Sequence, residues 1–168
     1  RQLRELELSR TGVEGNLASL QDMQYLSKLG LQCCSQVKGE IICIGSFHYL
    51  SVLRLGATGV VGTLHDIKNL IGLRVLHLGH ASIGGDLAEV AGFSNIHELV
   101  ADKTLIIGSI EELSRSRKLR ILSLNYTSVS GNIDIAFKDM HLLRSVGLCN
   151  TDVTGSISLF DICHGLQE

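Results

Sequence analysis

From one end of the chain to the other, a leucine or its equivalent opens a unit every 23 or 24 residues, at Leu3, Leu26, Leu50, Leu73, Ile96, Leu119 and Leu143, with Leu166 opening another. Position four of each unit reads Leu6, Leu29, Leu53, Leu76, Leu99, Leu122 and Val146. Position six reads Leu8, Leu31, Leu55, Leu78, Ala101, Leu124 and Leu148. Alternation at four and six is the period of a strand. A unit of this length cannot bury its own apolar face, so successive units must stack. A glycine column follows at Gly15, Gly39, Gly62, Gly85, Gly108, Gly131 and Gly155, each with Leu or Ile two residues later. Glycine there permits a bend or a close backbone approach that a side chain would obstruct.

Position nine is Thr11, Thr58, Thr104, Thr127 and Thr151, with Cys34 and Ala81 as exceptions. A buried hydroxyl column predicts a ladder bonded to nearby backbone. Beyond the glycine, apolar residues three apart, such as Leu20 and Met23 or Ile44 and Phe47, suit short 3₁₀ turns.

The segments "LRELELSRTGVEGNL", "LSVLRLGATGVVGTL" and "LRSVGLCNTDVTGSI" resemble the leucine-rich repeat, in its plant and protist form LxxLxLxxNxLxGxI, over essentially the whole chain. Thr mostly replaces the Asn of that pattern, and the Pro that often follows it is absent. The resemblance implies a single α/β leucine-rich-repeat solenoid over residues 1–168. It would be a curved right-handed coil with one parallel strand per repeat on the concave face, a short lateral second strand, and 3₁₀ turns on the convex side. It further implies a non-enzymatic module that binds proteins; the alternatives are a structural accessory subunit lodged in a larger multiprotein assembly and, behind it, a receptor ectodomain or an enzyme.

Composition narrows the alternatives. A net charge of −2 argues against a general nucleic-acid binder. The longest apolar region, Ile41 to Val61, is interrupted by His48, Tyr49 and Arg54 and keeps the repeat spacing, so no transmembrane helix is expected. Five cysteines cannot all pair within one chain, and Cys33 and Cys34 are five repeats from Cys149, roughly 24 Å at about 4.8 Å per stacked strand. Reduced thiols favour an intracellular or organellar setting over an extracellular one. Neither end carries distinct polar caps, from which a fragment, or a subunit whose ends neighbouring chains cover, is expected.

The outward positions of the principal sheet are expected to be two, three, five, seven and eight. Arg4, Arg74, His97, Arg120 and Arg144 make a broken basic stripe at position two. Arg54, His77, His80 and Lys103 extend it into a patch in the middle repeats, with Asp102 and Tyr126 further along. That face reads either as a site for an acidic or polar protein segment or as an ordinary solvated sheet. Leu105 and Ile107 point outward on the lateral strand beside the basic run Arg115 to Lys118, which reads as a docking edge or as repeat decay. Val52, Val75, Val100, Ile121, Ile135, Leu159 and Ile162 are also expected outside. His77 and His80 with Asp102 and Lys103 form the one group with acid–base or metal potential, but without three or four converging ligands. No cofactor is implied.

Overall fold

The computed structural model describes residues 2–158. Its principal sheet has seven parallel strands, one per repeat: Glu5–Glu7, Lys28–Gly30, Val52–Arg54, Val75–His77, Glu98–Val100, Ile121–Ser123 and Ser145–Gly147. Leu6 pairs with Leu29, Leu29 with Leu53, and so on to Leu122 with Val146. The leucine column at position four is therefore a continuous apolar spine. Strand spans cover only positions three to five, so two, seven and eight lie outside the strand proper, contrary to the sequence expectation.

A second seven-stranded parallel sheet runs along the side, from Gly15–Asn16 to Asp152–Thr154. It is staggered by two residues: Gly39 lies opposite Val60, Gly62 opposite Ile83 and Gly85 opposite Ile106. Glycine is required here twice over. Gly62 has φ +135°, and a β-carbon on it would stand 2.6 Å from Ile41 Cγ2; on Gly85, at φ +110°, it would stand 3.0 Å from the Leu64 amide nitrogen. The convex side carries 3₁₀ turns such as Leu64–Ile67 and Leu87–Val90, with one α-helical turn at Ile133–Ala136. Asn16, Asp86, Ser109 and Asn132 cap four of these turns by accepting the amide two residues on.

Between the sheets and the turns, one apolar core runs through the repeats. Phe47, Phe93 and Phe137 fill it beside the leucine columns. The threonine ladder forms as expected: Thr11, Thr58, Thr104, Thr127 and Thr151 each donate to the carbonyl three residues back, at 2.6 to 2.7 Å. Where the column holds Cys34 or Ala81, the backbone N–H of that residue makes the bond instead, to Leu31 O at 3.1 Å and Leu78 O at 3.0 Å. One buried side-chain polar atom among the described residues has no partner: the hydroxyl of Ser116, which stands in an apolar column.

Several outward expectations are corrected. Val52, Val75, Val100 and Ile121 are half-buried, since neighbouring strands cover them from both sides, whereas Ile135 is exposed. Leu159 and Ile162 lie outside the described residues. No helix among the described residues is long and apolar enough to cross a membrane.

Candidate interaction face

Past position six the chain turns away from the sheet, and every position-eight residue is left-handed: Arg10, Cys33, Ala57, His80, Lys103, Tyr126 and Asn150, with φ between 53° and 64°. Seven non-glycine residues in that region carry strain of about 1 kcal/mol or more each. They persist because the amide at this position is locked to the next repeat, as His80 N–H is to Asp102 O and Lys103 N–H to Asn125 O. His80, Lys103 and Tyr126 thus sit on turns at the sheet margin and not on strands. Lys103 Nζ lies 5.4 Å from the centre of the Tyr126 ring, a cation–π contact.

Position seven decides the relief of the face. It reads Ser9, Gln32, Gly56, Gly79, Asp102, Asn125, Cys149. In three repeats its side chain accepts the position-seven amide of the following repeat: Ser9 Oγ from Gln32 N at 3.2 Å, Asp102 Oδ1 from Asn125 N at 2.8 Å, and Asn125 Oδ1 from Cys149 N at 2.8 Å. Asp102 Oδ1 also takes Ser123 Oγ–H at 2.7 Å and Asn125 Nδ2–H at 2.8 Å. This network occupies the side chain of the only glycosylation sequon, Asn125-Tyr126-Thr127.

In the middle repeats, Gly56 and Gly79 remove the side-chain layer. The result is a groove of about 360 Å³ lined by Gln32, Cys33, Gly56, Ala57, His77, Gly79, His80, Val100 and Asp102. Of the sequence candidates, it brings together His77, His80 and Asp102. Sequence reading missed the two glycines that make it, although their adjacency in one column was visible.

Two members of the basic patch expected in these repeats, Arg54 and His77, face carboxylates. Glu7 reaches Lys28 at 3.2 Å and Arg54 at 3.8 Å. It crosses a whole repeat to do so, because Gly30 between them has no side chain: a β-carbon there would collide with the Glu7 carboxylate. Hydrogen bonding to Ser9 first, and to Lys28 after it, holds the Glu7 carboxyl below its ordinary value. His77 Nε2 lies 3.0 Å from Glu98 Oε2, and its side chain is only 18% exposed. Burial, outweighing the Glu98 carboxylate, lowers its pKa, so the imidazole is neutral at pH 7. A solvated His77–His80 pair is therefore replaced by one half-buried neutral histidine and one exposed one. Among the described residues no three His, Cys, Asp or Glu side chains converge on a metal position.

Positive charge without a carboxylate partner also lies on the rim. Arg74 and Arg120 are exposed, without ion-pair partners among the described residues, and backbone bonds running Arg74, His97, Arg120, Arg144 align the stripe. On the same rim Tyr25 and Tyr49 stack at 6.0 Å, a pair one repeat apart that sequence reading passed over. On the lateral sheet Leu105 and Ile107 are exposed at 70% and 49%, with Val61 adding to them. The neighbouring run is tied back to the convex surface: Arg117 pairs with Asp139 at 2.9 Å, and Lys118 donates to Asn95.

No protein-family model matches the sequence, and no curated protein matches it. Solved structures do. The chain is similar to a TDR receptor (22% identity, TM-score 0.82, covering 98% of this chain and 29% of that one). It is also similar to the Arabidopsis receptor kinase HAESA, solved with the peptide hormone IDA and the co-receptor SERK1 (22%, TM-score 0.80, 98% and 28%). The Leptospira interrogans leucine-rich-repeat protein LIC12759 also matches (22%, TM-score 0.77, 98% and 42%). The chain spans less than half the length of each. At these identities the likeness speaks for architecture, and the architecture is that of a leucine-rich-repeat solenoid.

Proposed function

We propose that this solenoid is a non-enzymatic protein-interaction module that receives a segment of a protein partner in the glycine-floored groove of its concave face. The supporting observation is the gap at Gly56 and Gly79, where two successive repeats lack a position-seven side chain and leave shaped space at the sheet margin. Core columns fix the walls, so little ordering entropy is lost on binding. HAESA was solved holding a peptide hormone, which makes peptide recognition a natural use of this architecture. Free thiols at Cys33, Cys34, Cys43 and Cys149 fit a reducing compartment.

A photo-cross-linking residue placed in turn at Ala57 in the groove, Ile107 on the lateral sheet and Glu112 on the convex side tests the face. Adducts with a discrete protein should arise from Ala57 and be lost with Gly79→Leu. That variant is tolerable, since a β-carbon at Gly79 meets nothing closer than 3.4 Å. Adducts from Ile107 or Glu112 alone would refute the groove. They would support the second reading, an accessory subunit lodged in a larger assembly, which the exposed Ile42, Ile71 and Leu105 favour.

A further inference from the structure

The groove has a chemical character beyond its shape, and it comes from the backbone. In a regular parallel ladder the position-seven N–H would bond to the position-six carbonyl of the preceding repeat. Here that carbonyl instead receives a donor from its own repeat, a threonine hydroxyl or the position-nine amide. Position-seven amides must find acceptors elsewhere, and Gln32, Asn125 and Cys149 find them on the preceding position-seven side chain.

After glycine no such acceptor exists. The N–H groups of Gly79 and Asp102 donate in none of the hydrogen bonds found among the described residues, and that of Gly56 likewise. Missing β-carbons confirm the geometry: one built on Gly56 would lie 3.6 Å from Gly79 N, and one built on Gly79 would lie 3.5 Å from Asp102 N. The side chains that would cover these two amides are the ones the sequence omits. Gly56 N–H differs, because it follows Gln32, whose amide oxygen can swing onto it.

We infer that the bare N–H groups of Gly79 and Asp102 form a seat for a carboxylate, supplied by an aspartate side chain of the protein segment that occupies the groove. The inference rests on the interaction reading above and names what that groove recognises. The protein contains its own precedent one repeat further on, where the Asp102 carboxylate sits on the Asn125 amide. Two amides one repeat apart are separated by about 4.8 Å, and a carboxylate can receive one on each oxygen. Charge-assisted bonds of this kind are stronger than neutral ones. Asp102 does not oppose the incoming charge at close range, because its carboxylate is turned onto the next repeat and held by three donors. His80, exposed on the groove wall, adds a further donor.

The test is an amide NMR titration of the whole chain with N-acetyl-aspartyl amide, with the asparaginyl and alanyl analogues in parallel. Saturable downfield shifts of the Gly79 and Asp102 amide protons are expected with the aspartyl probe, weaker ones with asparaginyl and none with alanyl. The variant Gly79→Asp carries its own carboxylate over the Asp102 amide and should weaken the probe by about tenfold or more. In the free protein these two amides should also exchange with solvent faster than those of Asn125 and Cys149, a readout that needs no variant. The inference is overturned if the aspartyl probe leaves both amides unshifted, or if they are as protected as Asn125 N–H in the free protein. Should Ala57 cross-links persist undiminished in Gly79→Asp, the carboxylate seat fails while the interaction face stands. Probe-induced shifts without any Ala57 adduct would uphold the seat and refute the partner.

Discussion

Replacing Thr127 by alanine asks how rigid a repeat is. The hydroxyl donates to Leu124 O at 2.6 Å in a site almost closed to solvent, and that carbonyl has no other donor among the described residues. In a rigid turn, the substitution would strand a buried carbonyl at about 1–3 kcal/mol and lose the methyl burial of about 0.8 kcal/mol, for a total near 2–4 kcal/mol. The repeats at Cys34 and Ala81 show another solution, in which the position-nine N–H swings onto the same carbonyl. If Thr127→Ala relaxes that way, only the methyl term remains and the cost is about 1 kcal/mol, or about 2–4 °C in melting temperature for a chain of this size. The smaller value is expected. Denaturant titration gives the magnitude, and hydrogen exchange gives the cause: the amide of residue 127, which has no partner in the parent, should gain protection. A loss above about 2 kcal/mol with that amide still exchanging freely would refute the relaxation and mean that each turn is held in one conformation by its neighbours.

Three other perturbations test separate parts of the structure. Ser116→Ala removes the stranded hydroxyl from the core and should stabilise the chain by about 1 kcal/mol in denaturant titration. Gly62→Ala forces a side chain to φ +135° and its β-carbon against Ile41, so a loss above about 2 kcal/mol is expected, with disturbance centred on the lateral sheet in amide exchange. His77 should titrate below 6.5 when followed by the NMR shifts of its ring. The unfolded chain then binds the proton first, so stability is complete above pH 6.5 and declines as pH falls towards the folded value; His77→Gln should remove that part of the acid sensitivity.

Period alone made the architecture legible. An apolar residue at positions one, four and six of every unit can be buried only by stacking, and seven repetitions of the spacing leave one register. The threonine ladder and the glycine bend were equally readable, because each is satisfied within its own repeat or by an identical neighbour. Leu105 and Ile107 were read as exposed because the lateral strand alternates. The ion pairs within the basic patch were not legible. Arg54 and His77 looked free in their own units, but Glu7 reaches across Gly30 to one and Glu98 meets the other.

The columns, and which of them face the core, can be read from residue order alone. Which side chains of different columns meet, and which backbone groups are left without a partner, depends on the folded chain. Stacking at about 4.8 Å brings together residues 21 to 24 apart in the chain, and the outcome at each level depends on the length and chemistry of both neighbours. Two glycines in succession at position seven are therefore only small residues in the sequence. In the folded chain they leave the amides of the repeats that follow without a partner among the described residues.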